Sequence, residues 1–166
     1  LVFKNIKAED FTKEDFDYAN KHIRILDAFY GMVNPLDDIL PYRLEMQYPI
    51  KIQGNNLYKF WDDKIYKKLY SEDNVIVNLA SEEYAKTVRR FLNEEDIFID
   101  IDFKVNKDGK LKTLATLAKM ARGQMVKYII ENKIDNPEDL KDFTFNSFKY
   151  CSNLSTSKKF VFIKED

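Results

Sequence analysis

Apolar positions recur along this chain with two periods, close to four residues in some stretches and two in others, and these divide it into helices and strands. In residues 13–30, Phe16, Ala19, Ile23, Leu26 and Tyr30 form one stripe, which predicts a helix ended by a left-handed Gly31. Thr12 and Asp15 have capping-box spacing, and Phe11 and Phe16 occupy the staple positions across the same start. Pro35 and Pro41 bar a long helix immediately afterwards. A short strand near residues 49–52 precedes a helix capped by Asn55 or Asn56 and running through Tyr70, with Leu57, Trp61, Ile65 and Leu69 on one face. Residues 75–80 read as a buried strand feeding a helix over 82–90, with Ser81 at its N-cap.

Further along, Ile97, Ile99, Ile101, Phe103 and Val105 alternate with Phe98, Asp100, Asp102 and Lys104, which marks a half-buried strand. Asp108-Gly109 is its hairpin turn and residues 110–115 the return. A long helix over 116–132, a short one opening at Asn136-Pro137-Glu138, and strands near 147–151 and 160–163 complete the pattern. The class this predicts is mixed α/β: a single compact domain over 1–166 with a mixed sheet and flanking helices.

Composition narrows the chemistry. The 166 residues are 45% hydrophobic by type, with 13 Phe, 10 Tyr and one Trp, which suits a packed core and excludes a disordered chain. No apolar run approaches a membrane span, no signal-peptide pattern opens the chain, and the lone Cys151 suits a reducing compartment. Four glycines leave no phosphate-binding loop and no dinucleotide fingerprint. His22 is the single histidine, which removes H-E-x-x-H zinc sites and most His-based nucleophile chemistry. No cofactor or metal is therefore expected. An enzyme on this chain would work with carboxylates, Lys, Arg, Tyr or Ser.

The net charge of −1 hides an uneven distribution. Residues 1–83 carry 11 basic and 15 acidic side chains, whereas residues 104–133 hold eight basic residues against Asp108 and Glu131. Such a stretch attracts phosphates even on a slightly acidic molecule, or else is a solvated lysine-rich hairpin. The helix over 116–132 is apolar on both sides, with Leu117, Ala121, Met125 and Tyr128 on one and Val126 and Ile130 beside Lys119, Arg122 and Gly123 on the other. It should be buried on both sides, with its basic residues in a cleft. Gly123 sacrifices helix stability there, so a backbone or ligand approaches closely, and Arg122 either binds an anion or pairs with Glu45 or another carboxylate. Asn78 and Ser81 lie where a strand feeds a helix N-terminus, a place that favours anions, though both also serve as plain loop and cap residues. Arg43 and Glu45 share one side of an extended segment, as an ion pair or as a ligand clamp. Asp100 and Asp102 have cation-binding spacing, with Lys104 on the same face to neutralise them.

Four blocks carry a family resemblance. They are Phe29-Tyr30-Gly31 with Asn34-Pro35-Leu36-Asp37 and Pro41-Tyr42-Arg43-Leu44-Glu45-Met46; Leu57-Tyr58-Lys59-Phe60-Trp61; Asn78-Leu79-Ala80-Ser81-Glu82-Glu83-Tyr84; and Ala118-Lys119-Met120-Ala121-Arg122-Gly123 with Tyr128-Ile129-Ile130-Glu131-Asn132. Together and in this order they resemble the YaaA family of bacterial peroxide-stress proteins. The resemblance implies a cytoplasmic protein of the peroxide response that limits free intracellular iron and binds double-stranded DNA without sequence preference. It also implies a helix-hairpin-helix-like element, at the Tyr30-Gly31 turn and the prolines after it, and a basic groove. Groove candidates are Arg43, Lys86, Lys119 and Arg122, with Lys127, Asn78, Ser81 and Gly123 as further phosphate-binding positions. Asn34 stands where the family has a basic residue, and Ala28 where some members have Gly. The family's N-terminal block is absent, so the chain resembles the last two thirds of a longer protein. A different class of function stays open beside this one: an enzyme acting on a nucleotide or nucleobase, with Arg122 and Ser81 holding a phosphate and Glu45 as general acid or base.

Overall fold

A computed structural model describes residues 1–165. In chain order its elements are helix α1 (Val2–Ile6), helix α2 (Lys13–His22), strands β1 (Ile25–Asp27) and β2 (Gly31–Val33), helices α3 (Leu57–Trp61) and α4 (Lys64–Glu72), strand β3 (Val75–Asn78) and helix α5 (Glu82–Arg89). Strands β4 (Ile97–Lys107) and β5 (Lys110–Lys112), helix α6 (Ala115–Glu131), and strands β6 (Lys149–Tyr150) and β7 (Lys159–Glu165) follow. The class is mixed α/β, with a five-stranded mixed sheet. Among the described residues no helix is long and apolar enough to cross a membrane.

The chain folds as two compact units that interleave in sequence. Residues 1–18, 77–79 and the described residues from 98 onward form the first; residues 19–76 and 80–97 form the second.

The first unit is organised on the sheet, in which the order is β3-β4-β7-β6 and β5 also pairs with β4. Strands β4 and β7 run parallel with Phe103 opposite Phe162, while β6 and β5 are antiparallel to their neighbours. Alternation along β4 buries Ile99, Ile101, Phe103 and Val105 as the pattern predicted, but at the start of the strand Ile97, expected on that face, is exposed and Phe98, expected opposite, is buried. Phe103 packs its ring 5.3 Å from Phe148 and 5.4 Å from Phe162, centroid to centroid, with Phe143 at 6.2 Å. Asp108 and Gly109 both have positive φ, 52° and 73°, as a two-residue hairpin turn of the predicted type requires.

The capping box at Thr12 forms reciprocally. Asp15 Oδ2 accepts from the Thr12 N–H at 2.9 Å, and Thr12 Oγ1 accepts from the Asp15 N–H at 3.2 Å. The Phe11 and Phe16 rings meet edge to face at 5.7 Å.

In the second unit three predicted elements are corrected. The helix expected over 13–30 stops at His22, where the Arg24 guanidinium takes the Asn20 and Ile23 carbonyls at 3.1 and 2.8 Å and Glu72 at 2.6 Å. Residues 25–33 instead form the β1–β2 hairpin, whose turn is closed by Asp27 Oδ1 accepting from the N–H groups of Phe29 and Tyr30. Gly31 is left-handed as expected, at φ 79°, but it opens β2 rather than ending a helix. A β-hairpin therefore stands where a helix-hairpin-helix-like element was placed. The helix predicted through Tyr70 starts at the Asn56 cap and breaks at Asp62, whose φ is 49°, into α3 and α4. The strand expected near 49–52 is reduced to a single bridge between Ile52 and Asn55. Ala28, Met46 and Leu57 make a small core against which Leu44, Ile52, Tyr58, Trp61 and Tyr84 pack.

Candidate functional site

In the first unit the alternation that buries Phe103 places Asp100, Asp102 and Lys104 on the opposite face of β4. Asn78, at the end of β3, donates from Nδ2 to Asp100 Oδ1 at 2.8 Å. Asp102 Oδ2 lies 3.3 Å from Lys104 Nζ and 3.4 Å from Lys159 Nζ, and Lys104 also donates to Thr113 Oγ1 at 2.8 Å. Both carboxylates are thus engaged by the protein itself. Among the described residues no three His, Cys, Asp or Glu side chains converge as metal ligands would.

Arg122 on α6 differs from its neighbours. It is half-buried and makes no hydrogen bond or ion pair among the described residues. Burial pushes its guanidinium below the ordinary value, and the charge of Asp102 pulls in the other direction. The expected pairing with Glu45 or another carboxylate is therefore not made. Lys119 sits one turn earlier on α6, exposed and likewise without an ion pair. Lys127, by contrast, is 2.7 Å from Asp10 and 3.5 Å from Glu131.

Gly123 has a backbone neighbour. A Cβ there would lie 2.3 Å from the Val2 carbonyl oxygen and 2.7 Å from Asn5 Cβ, so α1 crosses α6 in direct contact with this position. Gln124 Nε2 donates to the Asn5 carbonyl at 2.9 Å beside it. Of the two reasons the sequence offered for Gly123, close approach of backbone is the one present. As the two-sided pattern predicted, Ala121 and Met125 on one side of α6 and Val126 and Ile130 on the other are all buried.

The second unit holds Arg43, Glu45, Ser81 and Lys86. Met46, 1% exposed, and half-buried Leu44 turn inward, so Arg43 and Glu45 project together on the outer side. They do not pair with each other: neither side chain has a hydrogen bond or ion pair among the described residues. With Leu44 and Tyr48 they line an open hollow of about 280 Å³. The Tyr48 N–H donates to the Glu45 carbonyl at 3.0 Å and the Gln47 N–H to Glu83 Oε1 at 3.1 Å, which fixes the bend. Tyr48 was missed by sequence reasoning; its signal is Pro49, which forbids helix and forces a turn. Ser81 is the N-cap of α5 as expected, with no side-chain capping bond, and the first turn carries Glu82 and Glu83, which oppose an anion there. Lys86 Nζ lies over the Tyr58 ring, 4.9 Å from its centroid.

A family model described as peroxide stress protein YaaA matches residues 1–154. A UPF0246 protein of Clostridioides difficile is 47% identical over 166 residues, covering 99% of this chain and 67% of that protein. UPF0246 proteins of Ligilactobacillus salivarius and Crocosphaera subtropica are 45% and 43% identical, covering 99% and 98% of this chain and 67% of each relative. The chain spans about two thirds of the length of these curated relatives. With the four sequence blocks carried on α3, α5, α6 and the segment around the β1–β2 hairpin, and with the match running through nearly all of it, the chain belongs to the peroxide stress protein YaaA family.

Proposed function

We propose that this chain belongs to a peroxide-response protein that limits free intracellular iron and binds duplex DNA through phosphate contacts, without reading sequence. The observation that carries the binding reading is Arg122, a half-buried guanidinium with no hydrogen bond or ion pair among the described residues. Its five N–H donors are partly withdrawn from water and unmatched, and a phosphate oxygen pair satisfies them with charge-assisted bonds. Lys119, one turn away, adds a second contact on the same side of α6. Lys110 and Lys112, all but free on the exposed strand β5, continue the basic surface of the first unit. Arg43 and Lys86 are further contacts offered by the second unit. The iron-limiting role rests on family membership and not on a metal site, since Asp100 and Asp102 hold Asn78 and two lysines.

Four contacts, from Lys110, Lys112, Lys119 and Arg122, predict a log–log salt slope of about −3.6, so affinity for a duplex falls roughly 150-fold between about 50 and 200 mM salt. Replacing Lys119 and Arg122 together by Ala should flatten the slope by about 1.8 and weaken random-sequence duplexes equally. Fluorescence anisotropy at several salt concentrations measures both. Salt-independent binding, or a double variant with the wild-type slope, sinks the reading.

A further inference from the structure

The hollow bounded by Arg43, Leu44, Glu45 and Tyr48 has the chemistry of a base-recognition site, and we propose that it binds a guanine base. Its four lining side chains offer a planar cation, a carboxylate, an aromatic ring and an apolar floor. The two charged residues are next-but-one neighbours in sequence, both exposed, and among the described residues neither side chain has a hydrogen bond or ion pair. Opposite charges lining one hollow can satisfy each other, and these two do not pair. Here both remain available to one ligand that presents acceptors on one edge and donors on the next.

Guanine presents that order. Its O6 and N7 accept a bidentate pair from a guanidinium, the commonest specific Arg contact to a base. Its N1–H and N2–H groups, round the corner from O6, donate to a carboxylate. Arg43 would serve the first edge and Glu45 the second. Tyr48, 57% exposed, supplies a ring face for stacking, and Leu44 rests on the Met46 core beneath. Adenine fails the same test because its N1 is an acceptor and would meet the Glu45 carboxylate lone pair to lone pair. Cytosine and thymine lack the N7 edge. The volume of about 280 Å³ accommodates a single base and not an extended chain. The site shares Arg43 with the duplex contacts proposed above but does not depend on those assigned to Lys119 and Arg122.

Isothermal titration of the 166-residue chain with free nucleosides tests this. Guanosine carries no phosphate, so its failure to bind and a failure of duplex binding are separate results. Guanosine should saturate; inosine, which lacks the N2 amine, should bind at least about 5-fold more weakly and adenosine at least about 10-fold. Glu45→Gln and Arg43→Met should each weaken guanosine about 10-fold or more, with circular dichroism unchanged because both side chains are exposed. The proposal is overturned by any of three results: no saturation with guanosine into the millimolar range, equal affinity for adenosine, or wild-type guanosine affinity in Glu45→Gln.

Discussion

Replacing Gly123 by Ala sets two effects of known size against each other. In an exposed helix interior the change stabilises by about 0.8–1 kcal/mol, because Ala restricts the unfolded chain and favours helix. Here the new Cβ would sit 2.3 Å from the Val2 carbonyl oxygen and 2.7 Å from Asn5 Cβ, both well inside contact distance. One neighbour is backbone, so a rotamer change does not relieve the clash. Helix α1 must move away by roughly an ångström, with overpacking strain of about 1–3 kcal/mol. Such a shift also stretches the Gln124–Asn5 hydrogen bond, worth about 1 kcal/mol. The balance is destabilisation near 2 kcal/mol, or roughly 4–8 °C in Tm for a chain of this size. Calorimetry gives the Tm, and amide exchange in residues 2–6 should accelerate in the variant because α1 is the displaced element. A Gly123→Ala protein more stable than wild type, with unchanged exchange at residues 2–6, would refute the docking of α1 on α6. It would also return Gly123 to the list of positions kept open for a ligand.

Two further outcomes follow from named contacts. Lys133, then the N–H and hydroxyl of Thr12, hold the Asp15 carboxyl down from 3.8 to about 2. Because the folded value is depressed, its contribution is fully present above about pH 4 and is lost as pH falls from 3.8 towards 2. Urea unfolding across that window should show a shallower pH dependence for Asp15→Asn than for wild type; parallel curves would contradict the pairing. In Gly31→Ala the added Cβ meets Trp61 ring atoms at 2.7 and 2.8 Å while φ stays near 79°. Left-handed strain and overpacking together predict a loss of roughly 2–4 kcal/mol, read from the urea midpoint by Trp61 fluorescence, and an unchanged midpoint would refute the contact.

How far the sequence reveals the structure depends on where the deciding partner lies. The β4–β5 hairpin, the Thr12 capping box, the Asn56 cap and the doubly buried α6 are legible because their determinants are a few residues apart. The end of α2 is not. The stripe through Tyr30 has helical spacing, yet Glu72, far along the chain, holds the Arg24 guanidinium that closes the helix at His22. Asp27 then accepts two backbone N–H groups and commits the next residues to a turn, which no periodicity reports. Trp61 reinforces this by donating from Nε1 to the Ala28 carbonyl at 2.9 Å and covering Gly31. The break at Asp62 is equally silent, since it interrupts an apolar pattern that continues on both sides. Helix α1 is five residues long, below the length at which periodicity carries a signal, although Gly123 had already marked the place where a backbone lands.

The charge asymmetry has a structural explanation of the same kind. Counted along the chain, residues 104–133 are strongly basic and the first half is acidic, as if two separate fields existed. Within the first unit these are partly two sides of the same contacts: Asp10 takes Lys127, Asp15 takes Lys133, and Asp102 takes Lys104. Three of the eight cations in that stretch are therefore matched by carboxylates outside it, one of them on the same strand and two more than a hundred residues away in sequence. Among the described residues, the positive charge that makes no ion pair is narrower than the count and differently placed, on Lys110 and Lys112 of β5 and on Lys119 and Arg122 of α6. Three of these are exposed lysines, whose hydrated ammonium groups bind a phosphate weakly and leave it easily. Arg122 alone combines a planar fork with partial burial, so an anion arriving there is bound where the field is least screened by water. For this reason Arg122→Lys, which keeps the charge and loses the fork, is the sharper probe: it leaves the number of released counterions, and so the salt slope, unchanged while lowering affinity at every salt concentration.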